Sequence, residues 1–410
     1  MPLFNAATVE EARSVLRDHL EGYAKKTETV DLLSAYGRVL AEDVVCSEDI
    51  PAFNRSTVDG FAVIARDTFG ASESMPSLLE LVGEVRMGEE ARLSVKPGQA
   101  VKIPTGGMLP EGSDAVVMLE YTQLLDDRTL CVEKPAAPGD NVVSKGEDIK
   151  KGCIVLKRGH TLRPQDLGAL AAVGVGEVKV VKPPIVSVIS TGDEIRPPGE
   201  RVKAGEVRDI NSYALCGQVI KWGGAPRPAG IVRDRFDELL EALKSALSES
   251  DLVLISGGSS VGARDHTVEV IRSLGQPGVL VHGLPVKPGK PTIIAAVGEK
   301  PIIGLPGHPV SAMVIFELIV RPAISILLGR PEDFGGIKVS ARIARNIPSA
   351  AGREDFIRVK LERRQQEMWA VPVLGKSGLI STMVESHGLA RIPPEKQGVL
   401  EGEPVEVELF

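Results

Sequence analysis

Apolar positions recur every three or four residues from Val9 through Ala12, Leu16 and Leu20 to Tyr23, the stripe of an amphipathic helix. Thr8 and Glu11 stand at capping-box spacing in front of it. From about Asp49 to Val143 the period shortens. Phe61–Ile64, Leu78–Val85, Ala100–Ile103 and Ala115–Leu119 are short β-type runs separated by proline and glycine, which predicts a small β-rich module. A helix-like segment follows near Arg163–Gly176, and Pro183-Pro184 forms a natural boundary. From Ile185 to Gly329 the pattern alternates. Ile185–Ile189, Leu252–Ile255, Val279–Val281, Thr292–Ala296 and Ile302–Leu305 read as buried strands. Helical stripes lie between or beyond them at Tyr213–Trp222, from Phe236 to Leu247, at Val268–Leu274 and at Val310–Leu327. Such alternation predicts an open, mainly parallel sheet with helices on both faces. After Arg330-Pro331 the chain returns to β-type runs that suit a small barrel or sandwich.

The chain has 410 residues, more than one core can organise, and four modules are expected, the two earliest interleaved. Residues 1–50 and 143–182 make a discontinuous N-terminal domain whose first helix can pack on the α/β part. Residues 51–142 form the inserted β-rich module, 183–329 the α/β domain and 330–410 the C-terminal β domain. With 43% hydrophobic and 25% charged residues the composition excludes a disordered chain, and 43 glycines with 29 prolines predict many shaped loops.

The net charge of −7 and pI near 5.6 give no global positive field for nucleic acid or an anionic membrane. Aromatics at 4% also argue against base-stacking platforms. Cys46, Cys131, Cys153 and Cys216 contain no CxxC pair, so neither a zinc site nor a disulfide framework is expected. No basic stretch leads into an apolar run at the N-terminus, and Pro309–Leu328 carries Glu317, Arg321 and Pro322, which favours a buried helix over a membrane span. A cytoplasmic protein is the expectation.

Ligands of open α/β sheets bind beyond the carboxyl ends of the strands, and the unusual loops of this chain follow strands there. Ser190-Thr191-Gly192-Asp193-Glu194 is one, and Ser256-Gly257-Gly258-Ser259-Ser260, leading to Asp265, is another. Lys287-Pro288-Gly289-Lys290-Pro291 and Pro306-Gly307-His308-Pro309-Val310-Ser311 complete the set. Gly257-Gly258 reads either as a tight turn or as an anion cradle that backbone N–H groups can line. Pro309 suits the first position of the next helix, whose free N–H groups attract anions. Lys287 and Lys290 could converge on one ligand, or simply solvate a surface turn. Glu194, Asp234 and Asp265 beside such loops suggest Mg²⁺, which takes few protein oxygens; Asp234 could equally cap the helix near Phe236. No HExxH and no Gly-x-Ser-x-Gly is present. The residues thus lead to a Mg²⁺-assisted enzyme acting on a phosphorylated or nucleotidylated small molecule.

In order along the chain, Pro51-Ala52-Phe53-Asn54-Arg55-Ser56-Thr57-Val58-Asp59-Gly60, Pro104-Thr105-Gly106, Gly146-Glu147-Asp148 and Arg163-Pro164-Gln165-Asp166 precede the α/β loops. Gly352-Arg353 with Phe356 and Arg358, then Ser377-Gly378, follow them. With these motifs the chain resembles the molybdopterin molybdenumtransferases, the family that includes the E domain of gephyrin. The resemblance implies a multidomain fold: a central molybdopterin-binding α/β sheet domain, an elongated N-terminal region with an inserted β module, and a β-barrel-like C-terminal domain.

It also implies a reaction, insertion of molybdate into adenylyl-molybdopterin with Mg²⁺-dependent release of AMP; tungstate is a possible alternative oxyanion. Asp59, Thr105, Glu194, Asp234, Asp265, Lys287 and Lys290 are the implied catalytic residues. Asp148, Gly257, Gly258, Ser259, Pro306, Gly307 and Pro309 would bind the substrate. Lys290, Pro291, Ser311, Arg353 and Ser377 would hold molybdate, and Glu194, Asp234 and Asp265 the Mg²⁺. Asp59, Thr105 and Asp148 would approach the site of a partner subunit, which implies a homodimer, and a molybdopterin adenylyltransferase would be the upstream partner. His308 stands where the family often has Asn, and its imidazole is expected to bond the helix start instead. Two other readings are carried: an adenylyltransferase of the same superfamily, and a non-catalytic scaffold of the gephyrin type.

Overall fold

The computed structural model describes residues 7–257, 266–331, 334 and 336–410. The chain divides into two compact units, one of residues 1–28, 37–39 and 179–410, the other of residues 29–36 and 40–178.

In the first unit the chain begins with α1 (Val9–Leu20), whose capping box is formed: Thr8 Oγ1 accepts from the Glu11 N–H at 3.2 Å and Glu11 accepts from the Thr8 N–H at 2.8 Å. The helix stops short of the end of its apolar stripe. Tyr23 lies beyond it and donates its hydroxyl to Asp251 at 2.8 Å.

The second unit is built on a six-stranded sheet of β1 (Gly60–Val63), β2 (Ser77–Glu84), β3 (Gln99–Ile103), β4 (Ala115–Met118), β5 (Thr122–Leu124) and β6 (Thr129–Val132). Its order is β4-β1-β3-β2-β6-β5, and only β2 and β3 run parallel. Alternate residues serve opposite faces. Phe61 and Val63 pack with Leu79, Val117 and Leu130, while Ala62 packs with Val101, Ile103 and Val116. Both faces are therefore covered. The same unit contains α2 (Pro164–Ala172), with proline in its first turn as its fixed φ allows. The Asp166 carboxylate accepts from the Arg163 N–H at 2.8 Å and from the Arg163 Nε at 2.9 Å, and lies 2.7 Å from His160 Nε2.

The remainder of the first unit is an α/β sheet followed by a barrel. The sheet contains β7 (Ile185–Thr191), β8 (Ala225–Val232), β9 (Leu252–Ser256), β10 (Pro277–His282), β12 (Ile293–Val297) and β13 (Lys300–Leu305), with the short β11 (Val286–Lys287) between β10 and β12. The order is β8-β7-β9-β13-β12-β10. Only β12 opposes the others: it is antiparallel to both of its neighbours, β13 and β10. The sheet is thus mainly parallel, as expected. Strand β8 is an addition, because its Ala-Pro-Arg-Pro-Ala-Gly run has no strand-like apolar pattern. It pairs on one side only, with β7, and an edge position tolerates proline.

Helices α3 (Asn211–Lys221), α4 (Phe236–Glu249) and α5 (His266–Leu274) flank the sheet. Leu239 and Leu243 of α4 and Val270 and Ile271 of α5 pack with Ile189, Val253, Ile255 and Ile302 on one face. The expected helix over Val310–Leu327 is interrupted. It consists of α6 (Pro309–Ile315), a π-helical turn at Phe316–Val320 and α7 (Arg321–Leu328). Together Pro309–Leu328 is long and apolar enough to cross a membrane, but 89% of its most apolar window is buried inside the protein. Helix α1 packs against it, and Arg13 Nε donates to the Leu318 carbonyl at 2.8 Å.

The C-terminal strands are β14 (Lys338–Ile343), β15 (Glu354–Arg364), β16 (Glu367–Pro372), β17 (Gly388–Ile392) and β18 (Pro404–Leu409). They pair in the order β15-β16-β14-β18-β17, and β17 returns to β15, closing a five-stranded barrel around Ile343, Val359, Ala370, Ala390 and Val407. Strand β11, from the α/β part, joins β15 in parallel.

The hydrogen bonds to Asp166, Arg163 first, hold its carboxyl well below the usual carboxylate range. Its contribution to stability is therefore complete above the unfolded carboxyl value near ~4 and is lost as pH falls below that toward the lower folded value. Asp166→Ala is expected to cost about 2 kcal/mol at neutral pH. Urea unfolding at pH 7 and pH 3 will show the deficit shrinking in acid.

Candidate functional site

Of the four-loop edge expected from the sequence, the described residues contain three loops and the start of the fourth, gathered because β7, β8, β9, β10 and β13 all point the same way. Their carboxyl ends share one rim. Where β9 ends, Gly257 has φ +109°, and a Cβ there would lie 2.1 Å from the Thr191 carbonyl oxygen. Only glycine lets the two loops approach so closely. The Gly257 N–H donates to Leu305 O at 3.2 Å, and the Gly307 carbonyl accepts from Asn211 Nδ2 at 2.8 Å. Gly257, Pro306 and Gly307 are therefore brought together. Gly258, Ser259, Ser260 and Asp265 lie outside the described residues.

A cleft of about 730 Å³ opens between the Lys287 loop, the start of α6, strand β15 and the loop after β16. Lys287, Lys290, Pro291, Ser311, Arg353 and Ser377 all line it. The Lys287 loop is fixed from both sides. Its Val286 and Lys287 pair with Glu354 and Asp355 of β15, and Gly289, at φ +122°, packs so close to Ile315 of α6 that a Cβ would lie 2.4 Å from Cδ1. The fully buried Asp355 carboxylate takes two hydrogen bonds from the Arg353 guanidinium, at 2.8 and 3.3 Å, and so aligns it. The Val310 N–H of α6 donates to the Ser377 carbonyl at 3.1 Å, which ties the barrel loop to the helix start.

Pro309 occupies the first position of α6, as expected, but His308 does not bond the helix start. Its Nδ1 lies 3.1 Å from Ser377 Oγ instead, because the barrel loop already satisfies the Val310 N–H. Sequence reasoning missed Lys376 as a cleft residue, and placed His308 only in a loop and Arg358 only in a motif. Arg358 donates to the Gly375 carbonyl at 2.8 Å, and its burial lowers its pKa. Lys376 carries no motif of its own; only its position beside Ser377 could have pointed to it.

The acidic candidates are placed separately. Asp234 and Glu194 sit exposed on the adjoining loops after β8 and β7. Thr191 Oγ1 donates to Asp234 at 3.3 Å, and the Glu194 carboxylate folds over Gly192. Asp234 does not cap α4, whose N-cap is Arg235 without a side-chain bond. Among the described residues no three His, Cys, Asp or Glu side chains converge as a metal-holding group. Two exposed carboxylates on neighbouring loops nevertheless fit an ion that keeps most of its waters and takes substrate oxygens. Asp59, Thr105 and Asp148 belong to the second unit. There Asp59 Oδ1 accepts from the Thr105 N–H at 2.8 Å, and all three are exposed.

Replacing Gly257 by alanine should force the Thr191 and Gly257 loops apart at a cost of about 1–3 kcal/mol. Urea unfolding against the parent chain measures it.

Three family models match in succession: "MoeA N-terminal region (domain I and II)" over residues 7–174, "Probable molybdopterin binding domain" over 187–325, and "MoeA C-terminal region (domain IV)" over 340–410. A molybdopterin molybdenumtransferase of Bacillus subtilis is 32% identical over 94% of this chain and 90% of its own length. One from Haemophilus influenzae is 34% identical over 98% of both. The solved molybdopterin biosynthesis MoeA protein of Pyrococcus horikoshii OT3 superimposes with a TM-score of 0.86 at 35% identity, covering 99% of this chain and 100% of that one. Family models in register, relatives alike from end to end and a shared fold agree: the chain belongs to the MoeA family.

Proposed function

We propose that this chain is a molybdopterin molybdenumtransferase that inserts molybdate into adenylyl-molybdopterin and releases AMP. The observation that carries the reading is the convergence of Lys287, Lys290, Ser311, Arg353 and Ser377 on one cleft in a chain whose net charge is −7. A small dianion finds there both charge and hydrogen-bond donors. Lys290, Ser311, Arg353, Ser377 and the Pro291 backbone would hold molybdate, with tungstate as an alternative of the same shape. Lys287 would stabilise charge that builds on phosphate oxygens as the phosphoanhydride breaks. Gly257 and Gly307, with Pro306 and Pro309, would let the substrate's phosphates approach the backbone, and Gly258 and Ser259 are assigned to the same cradle.

Glu194 and Asp234, with Asp265, would hold Mg²⁺, which supplies Lewis-acid neutralisation of those phosphates. Asp59, Thr105 and Asp148 are assigned to the site of a partner subunit, so the working form is a homodimer. A molybdopterin adenylyltransferase would provide the substrate, and the reaction would take place in the cytoplasm. The domain division proposed is 1–50 with 143–182, 51–142, 183–329 and 330–410.

The test is AMP release from purified adenylyl-molybdopterin in the presence of Mg²⁺, with and without molybdate. Release that depends on molybdate and yields active cofactor is expected; silence with both molybdate and tungstate would overturn the reading. Lys290→Ala and Arg353→Ala should each weaken molybdate binding about tenfold or more, as expected for loss of a charge-assisted hydrogen bond. Equilibrium dialysis of molybdate at two salt concentrations checks this.

A further inference from the structure

Among the described residues that line the cationic cleft, His308 is the one imidazole. The charges around it are Lys287 and Lys290 of the Lys287 loop, Arg353 and Arg358 of β15, and Lys376 of the barrel loop. Helix α6 adds no charged side chain between Pro309 and Ile315, and the end of β9 approaches Gly307 through uncharged Gly257. No carboxylate lines the cleft among the described residues, and the fully buried Asp355 is already paired with Arg353. Lysine and arginine keep their charge at neutral pH, whereas a histidine ordinarily changes its own between about pH 5 and 8.

The backbone on both sides of the ring is fixed. The His308 carbonyl accepts the Ala312 N–H at 3.0 Å in the first turn of α6, and the Ser377 carbonyl accepts the Val310 N–H at 3.1 Å. Only side-chain freedom is left between the two residues, and there the imidazole Nδ1 lies 3.1 Å from the Ser377 hydroxyl oxygen. A hydroxyl has one proton to donate and lone pairs to accept with. A neutral imidazole nitrogen donates or accepts according to its tautomer, but in the imidazolium both nitrogens donate. When Nδ1 accepts, the single Ser377 proton is committed to the ring and the hydroxyl turns its lone pairs to the cleft. When the ring is protonated, Nδ1–H donates, and the Ser377 proton is free to point at a bound oxyanion. The same proton adds positive charge to the wall. A dianion is held by the new donor and by the added charge, so it binds the imidazolium form more tightly than the neutral one. By linkage, its binding draws a proton in.

We infer that His308 is a positioning residue for the oxyanion: by donating Nδ1–H to Ser377 it turns the serine hydroxyl toward the anion and couples anion binding to uptake of a proton. The inference rests on the functional reading above. Its test uses the full chain and micromolar molybdate, which stays a monomeric dianion from pH 6 to pH 8. Equilibrium dialysis at constant ionic strength should give binding about tenfold or more tighter at pH 6 than at pH 8, the scale of one charge-assisted hydrogen bond. His308→Asn keeps a hydrogen-bonding side chain at the position without a titrating one, and should flatten the profile. Ser377→Ala should shrink the profile, because protonation then adds charge without freeing a donor. A further measurement needs no substitution: calorimetry at pH 7 in two buffers of different ionisation heat should report net proton uptake as molybdate binds.

Equal affinity at the two pH values, or binding without proton uptake, would overturn the inference. So would a pH profile that survives His308→Asn, or one that Ser377→Ala leaves undiminished, since the ring would then act by its charge alone. Molybdate-dependent AMP release with a flat binding profile sinks this inference and leaves the functional reading standing. Proton-linked molybdate binding without AMP release from adenylyl-molybdopterin sinks the functional reading instead. Molybdate binding at neither pH overturns both.

Discussion

The short parallel pairing of Val286 and Lys287 with Glu354 and Asp355 holds the cationic cleft together. Backbone hydrogen bonds there join a loop of the α/β sheet to the first residues of the barrel's longest strand. Lys287, Lys290, Arg353, Arg358 and Lys376 line one cleft, and like charges gathered on one surface need a frame that offsets their mutual repulsion. The frame is reinforced on the far side. Arg321 of α7 pairs with Glu317 at 3.8 Å and with Glu408 of the barrel. Glu317 in turn accepts from Gln218 at 2.9 Å and from the Trp222 indole at 3.3 Å. These groups are largely buried, so removing one member leaves its partner charged and unsatisfied, which is far costlier than losing a surface pair.

One unit thus carries two clefts of opposite character. The first gathers cations and hydroxyls around a volume much larger than one oxyanion. The second, beside α3 and β8, is mostly apolar, with Ile195, Tyr213, Ile220 and Ile231 in its walls. The loops at the ends of β7 and β8 line the second cleft and that at the end of β13 lines the first, while Gly257 at the end of β9 permits a backbone approach to Thr191 that a side chain would block. The placement follows from the general behaviour of open α/β sheets, in which strand ends of common direction put their loops on one rim.

Much of this was legible in the chain. The apolar stripes of α1, α4 and α5 and the buried runs of β7, β9 and β13 appear directly as period and length, because burial on one face or on both leaves that imprint. The loops Thr191–Glu194, Lys287–Pro291 and Pro306–Ser311 stood out because glycine, proline and charge cluster where a strand ends. Strand β8 was not legible: an edge strand is held by its neighbour's backbone, and its Pro-Arg-Pro text carries no alternation. The π turn at Phe316–Val320 was equally silent, since a single extra residue in a helical turn leaves the apolar pattern almost unchanged.

The sequence by itself determined most of the order of strands and helices and the kinds of side chain available for chemistry. These depend on local sterics and on hydrophobic periodicity, which act between near neighbours. Tertiary structure alone decided that Arg353 and Ser377 meet Lys290 across a cleft, and that His308 turns to Ser377 because Val310 already has the Ser377 carbonyl. Such facts depend on which distant segments the packing brings within about 3 Å of each other, the hydrogen-bonding range, and no local pattern encodes that distance.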